Sequence, residues 1–260
     1  MRHFAHSARF SSRLVAENYL YRPPYSINVY QTLAELLRGQ PRVLLDAGCG
    51  PGKITLGLLD RLERSDAVDP SAEMLRIARS LPNGSSSKIN WIQAPVEEAQ
   101  FDPPYGLIVC AASIHWMDLD RMLARFSRVL NAGGYLSIVD GDSPVDAPWE
   151  RDEVAFMTAF LEKIGAQRPD EWKTARQLLS EPRLVHPAFE PVGCRITSPL
   201  LVSQSIGDYL RGQHSRATWA EDYLGAGATA KFDAKMTALD RPIEAVRVNR
   251  CAHIRRADPP

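Results

Sequence analysis

Asp46, Gly48, Gly50 and Asp69 are the residues whose types and spacing most readily build a site. The first three lie in Val43-Leu44-Leu45-Asp46-Ala47-Gly48-Cys49-Gly50-Pro51-Gly52-Lys53, where an apolar run meets an acid and then a turn with glycine at alternate positions. Glycine lacks a Cβ, so its backbone can turn sharply and press against a ligand. A helix starting just beyond such a turn offers unpaired N–H groups to the same ligand. A carboxylate at position 46 suits a ligand carrying an ammonium group. Asp69 stands 19 positions past Gly50, at the end of a short second strand, Ser65 to Asp69. A carboxylate there can accept hydrogen bonds from both hydroxyls of a ribose.

These residues need strands and helices to hold them. Residues 43–47 read as a buried strand, and Ile54, Leu58 and Leu62 recur at helical spacing behind the glycine turn. Ser65 to Asp69 reads as a second strand, and Ser71 opens the next helix. Lys88 to Gln93 is a third strand, and the wholly apolar Leu107 to Ala112 a fourth. Leu119, Met122, Leu123, Phe126 and Leu130 form a helical stripe. Asn131-Ala132-Gly133-Gly134 ends it, and Tyr135 to Val139 follows as a fifth strand. Residues 26–38 read as an amphipathic helix stopped by Gly39. Pro191 to Val202 and Ile243 to Ile254 read as strands six and seven. Pro144 and Asp146 fall in a loop, with helices expected after it.

Composition narrows the partners. Lys plus Arg and Asp plus Glu both number 31, so no net field gathers nucleic acid or an anionic membrane. No stretch of about 18 apolar residues is present, and the first residues lack an apolar signal region. The four cysteines stand far apart with no CxxC pair, which fits reduced thiols and a cytoplasmic location. No spacing of a metal site is found. The expected partner is a small-molecule substrate, without nucleic acid or membrane, for a monomer or homodimer.

Asp46-Ala47-Gly48-Cys49-Gly50-Pro51-Gly52 resembles the first motif of the class I S-adenosylmethionine (SAM) dependent methyltransferases, and the flanks resemble the type 11 small-molecule members. The likeness is strongest over residues 43–140. A dinucleotide Gly-x-Gly-x-x-Gly turn is the rival, but its third glycine falls on Lys53. A plain structural turn is the other alternative. The resemblance implies an α/β, Rossmann-like, seven-stranded, mostly parallel sheet with helices on both faces and a helical cap. Strands six and seven would end it as an antiparallel hairpin. Residues 1–260 would form one domain, with an N-terminal lid over 1–38 and substrate-facing cap elements over 141–190 and 203–240.

The same resemblance implies SAM as cofactor and a set of roles. Gly48, Cys49 and Gly50 would receive its methionine arm, with Asp46 near the ammonium and Ala111 beneath. Asp69 and Pro70 would hold the ribose, and Met74 would flank the adenine. Pro95, Val96 and Glu97 stand where the family holds the adenine edge, although many members carry an acid in place of Pro95. Tyr21, in the Tyr-x-Arg-Pro-x-Tyr-like segment Tyr21 to Tyr25, would fold over the cofactor. Trp116 would cover it or pack in the core. His115, in Ser113-Ile114-His115-Trp116-Met117-Asp118, and His214 are the candidate bases. Trp149, Phe156, Phe160 and Trp172 would line a substrate pocket or the cap's own core.

The implied reaction is methyl transfer from SAM to a small-molecule acceptor, at oxygen first of all, by in-line displacement driven mainly by proximity. A protein or RNA methyltransferase and a non-catalytic SAM-binding protein are the alternatives. Asp102-Pro103-Pro104-Tyr105 spells the signature of amino-group methylation, but it precedes the fourth strand where the catalytic version follows it.

Overall fold

The computed structural model describes residues 8–139, 144–146, 159, 187–216, 220–221, 225–238 and 242–257. Its frame is a seven-stranded sheet in the order β3-β2-β1-β4-β5-β10-β7. The strands are β1 Val43–Ala47, β2 Arg64–Asp69, β3 Ile89–Gln93, β4 Tyr105–Ala111, β5 Leu130–Val139, β7 Phe189–Ile196 and β10 Arg250–Arg256. Strands β1 to β5 run parallel, and β10 lies antiparallel to both of its neighbours.

Alternation along the strands sorts the core into two layers. Leu45, Ile108 and Ile138 point to one face and meet Met122, Leu123 and Phe126 of helix α5, Leu119–Val129. Leu44, Leu107 and Val139 point to the other. There they pack on α2, Ile27–Leu36, and α3, Lys53–Leu58. Helix α2 contributes Val29 and Leu33 to this layer. The expected lid of residues 1–38 therefore divides. Its second half is core, and its first half, a 3₁₀ turn at Ala8–Ser11 and helix α1 at Arg13–Tyr19, is what remains to cover anything. Helix α4, Ala72–Ser80, is capped by Ser71, whose Oγ accepts from the Met74 N–H.

The carboxy-terminal strands correct the sequence reading. Pro191 to Val202 is two elements, β7 and β8 (Leu200–Gln204), and Ile243 to Ile254 is also two, β9 (Ile243–Arg247) and β10. One half of each joins the large sheet. The others form a small antiparallel sheet, β6-β9-β8, with β6 at Pro144–Asp146 where a loop was expected. Both breaks sit at one crossing: Thr197 N–H donates to the Asn249 carbonyl, and Asn249 N–H donates to Thr197 Oγ1, each at 2.9 Å. An apolar run does not reveal such a break, because both halves keep the strand pattern. Of the two cap regions, 203–240 supplies α6, Ile206–His214, and α7, Ala226–Thr237. Residues 147–186, with Trp149, Phe156, Phe160 and Trp172, lie outside the described residues apart from position 159.

Asp102-Pro103-Pro104-Tyr105 is structural. The Tyr105 hydroxyl is buried and donates to Asp66 Oδ2, while accepting from the Asp102 N–H. Asn90 Nδ2 donates to the other Asp66 oxygen at 3.0 Å. Tyr105→Phe keeps the ring and deletes one donor to a buried carboxylate. It is expected to cost about 1–3 kcal/mol in urea unfolding, with cofactor affinity unchanged because the pair lies away from the cleft. A change in affinity would place this signature in the site after all.

Candidate functional site

The parallel strands end together at their carboxyl edge, and a cleft opens there. Its walls are Gly48 and Gly50 from the turn after β1, Asp69 and Pro70 after β2, and Met74 on α4. Pro95, Val96 and Glu97 after β3, and Ala111, Ala112, Ser113, Trp116 and Met117 after β4, complete that side, with Phe10 and Tyr19 from the amino-terminal segment.

The turn is held against the β4 end. Gly48 has φ +74°, and a Cβ there would stand 2.6 Å from the Ser113 Cβ. The Ser113 hydroxyl donates to the Ala47 carbonyl at 2.6 Å, locking the two strand ends together. Ala112 beside it adopts φ +51°, a left-handed conformation that costs energy in any residue but glycine. Asp69 ties the turn to the next helix: Oδ2 accepts from the Gly50 N–H and Oδ1 from the Ser71 N–H, each at 2.8 Å. Each oxygen keeps a second lone pair. Burial raises the Asp69 pKa to about 6, against these two backbone bonds, which lower it.

Asp46 is placed differently from its expected role. It is fully buried behind the turn and absent from the cleft walls. Its Oδ2 accepts from Thr55 Oγ1 at 2.8 Å and the Thr55 N–H at 3.1 Å. It thus satisfies an orphan donor in the first turn of α3, as a cap does, from a neighbouring strand. Burial pushes its pKa up to about 7, the Thr55 bonds oppose this, and Asp69 adds to it. Cys49 also faces inward, among Leu59, Ala67 and Leu75, and burial raises its thiol well above the usual value.

Three other expected residues stand away from the walls. Tyr21 turns toward α6, where Arg211 lies 4.7 Å from its ring centroid and donates to its hydroxyl. Its neighbour Tyr19 enters the cleft instead, because α1 ends there and the chain bends. His115 packs against Trp116, ring centroids 4.7 Å apart, and only the tryptophan reaches the wall. His214 bonds Asp233 Oδ1 on α7 at 2.9 Å, and its ring meets Phe232 edge-on. Neither imidazole lines the cleft.

Sequence reasoning missed Phe10, Tyr19, Ala112, Ser113 and Met117. The last three could have been found from topology, since the first turn past a parallel strand's carboxyl end is where α/β sheets bind ligands. Phe10 had no signal: its carbonyl accepts from Ser71 Oγ at 2.8 Å, and its ring meets Trp116 edge-on at 5.7 Å, so it bridges the mouth through tertiary contacts alone.

Among the described residues no group of three or more His, Cys, Asp or Glu side chains could hold a metal ion, and no helix is long and apolar enough to cross a membrane.

Comparison with known proteins agrees with this geometry. Residues 44–134 match the family model described as a methyltransferase domain. A 117-residue stretch is 31% identical to the probable S-adenosylmethionine-dependent methyltransferase CRG1 of Saccharomyces cerevisiae, covering 44% of this chain and 40% of that protein. A stretch of 171 residues is 31% identical to a trans-aconitate 2-methyltransferase of Rhodopseudomonas palustris, covering 63% of this chain and 62% of the relative. The match thus spans roughly half of these relatives' length. A solved structure from Anaeromyxobacter dehalogenans, provisionally described as a type II methyltransferase, superposes with a TM-score of 0.65 at 24% identity, over 91% of this chain and 97% of that one. At that identity the likeness is one of fold. Over residues 44–134 the chain is thus similar to a methyltransferase domain, and its fold is that of a solved methyltransferase-like structure.

Proposed function

We propose that this protein transfers the methyl group of SAM to an oxygen of a small-molecule acceptor. The observation that carries the reading is Asp69, whose two oxygens are fixed by the Gly50 and Ser71 N–H groups at the wall of the cleft. Both retain lone pairs for a ribose diol. Gly48, whose missing Cβ lets the turn pack against Ser113, leaves bare backbone at the cleft wall for the methionine arm. Pro70, Met74, Val96 and Glu97 make a half-apolar slot for the adenine, with Ala111 at the floor.

Bound there, SAM supplies a methyl group already activated by its sulfonium. The chain's task is to bring a nucleophile to about 3 Å from that carbon, in line with the bond that breaks. Trp116 and Phe10 meet edge-on at the cleft wall, where they would pack beside the bound cofactor. His115 and His214, off the cleft walls, are set aside as bases. A carboxylate acceptor needs none, since it is nucleophilic at neutral pH and attracted by the sulfonium. The trans-aconitate 2-methyltransferase relatives, named for a small polycarboxylate, support that acceptor class. The four free cysteines suit a reducing cytoplasm.

The test is incubation of the protein with methyl-labelled SAM and a cell extract, followed by separation into small molecules, protein and RNA. Label is expected in the small-molecule fraction, released by mild base as from a methyl ester. Label in protein or RNA would overturn the acceptor class. SAM binding by calorimetry with no transfer to any fraction would make the protein a binder.

A further inference from the structure

Lys53 follows the glycine turn directly and opens α3, yet the reading above gives it no role. Its ammonium reaches back to the amino-terminal segment and donates to the carbonyls of Arg22 at 3.0 Å and Pro23 at 3.2 Å. The Arg22 side chain continues the connection. Its guanidinium donates to Ser215 Oγ at 2.7 Å and to the Ser215 carbonyl at 2.8 Å, just past α6. The same guanidinium lies 4.1 Å from the centroid of the Tyr19 ring, with the Lys53 ammonium at 5.5 Å. Tyr19 thereby faces the glycine turn, its Cζ 4.0 Å from where a Gly50 Cβ would be.

We propose that Lys53 is a positioning residue for cofactor binding. Its ammonium clasps the backbone at 22–23 to the cofactor turn and, through Arg22, holds Tyr19 over the cleft. This rests on the SAM reading above. The chemistry suits lysine: a compact cation on a flexible stem serves two carbonyls at once, and charge-assisted bonds are about twice as strong as neutral ones. The cation–π pairing of Arg22 with Tyr19 adds to the hold on that ring. The clasp adds to the other anchors of the amino-terminal segment, Val15 and Ala16 packed on Met74 and Ile77 and the Ser71 hydroxyl on the Phe10 carbonyl.

The experiment compares the wild type, Lys53→Met, Lys53→Arg, Tyr19→Ala and the double variant Lys53→Met/Tyr19→Ala. SAM affinity is measured by calorimetry, and amide exchange over residues 13–21 is followed without ligand. Lys53→Met is expected to weaken SAM binding about tenfold and to speed exchange in that segment, with kcat changed less than about twofold. Lys53→Arg should restore binding to within about threefold, since a guanidinium still donates to both carbonyls. Because Lys53 acts through Tyr19, the double variant should bind no worse than Tyr19→Ala alone. Wild-type affinity in Lys53→Met, or losses that multiply in the double variant, would overturn the proposal while leaving the SAM reading intact. A wild type that binds no SAM would overturn the SAM reading and this one with it.

Discussion

Asp69→Ala is expected to weaken SAM binding by about 3 kcal/mol, because two ribose hydroxyls each lose a charged acceptor worth roughly 1.5 kcal/mol. The same truncation removes the acceptor of the Gly50 N–H, so the turn loses the bond that ties it to β2. Asp69→Asn should fall between the two: its carbonyl oxygen replaces one acceptor, and its amide nitrogen accepts nothing. The pH dependence follows from the same group. Only the carboxylate accepts from both hydroxyls, so affinity should fall as the pH drops through about 6, the raised value that burial gives Asp69. Calorimetry across pH 5 to 8 reads both effects. Equal affinities for wild type and Asp69→Ala would remove Asp69 from the site.

How legible the site was differs by element, for physical reasons. The parallel half of the sheet was open to reading because its strands are buried on both faces, so Leu107 to Ala111 is apolar without interruption. The turn was equally open, since glycines with φ of +74° and +53° at 48 and 50 leave a compositional trace. The carboxy-terminal half was not. Residues 200–204 and 243–247 have the composition of strands, and nothing local says that they belong to a second sheet. The amino-terminal cover failed by two residues. Tyr19 and Tyr21 are alike in sequence, and only the end of α1 and the Arg211 stack on α6 decide which ring enters the cleft. Glycines and buried strands are specified locally. Which tyrosine covers a pocket is decided by contacts nearly two hundred residues away.

Asp46 marks the sharpest difference between expected and observed roles, and its titration gives a large predicted effect. Its pKa is about 7 in the folded protein against an ordinary 3.8. The folded state therefore holds a proton that the unfolded chain has released over that interval, and stability falls as pH rises from about 4 to about 7. Below that window both states are protonated and nothing is lost. Above it both are ionised and the full cost is present, about 4 kcal/mol at 1.36 kcal/mol per unit. Asp69 adds a smaller slope of the same sign between about 4 and 6. Asp46→Asn keeps a carbonyl oxygen for Thr55 and removes the ionisation. It should be more stable than wild type at pH 8, by up to about 4 kcal/mol, and match it near pH 4. Urea unfolding of both proteins at pH 4.5, 6 and 8 measures the difference. Parallel profiles would mean that the Asp46 carboxylate is solvated rather than sealed behind the turn. The variant also separates its two possible duties. A carboxylate that only anchors α3 leaves SAM affinity near wild type when it becomes an amide, whereas one that meets the ligand's ammonium would lose about tenfold or more.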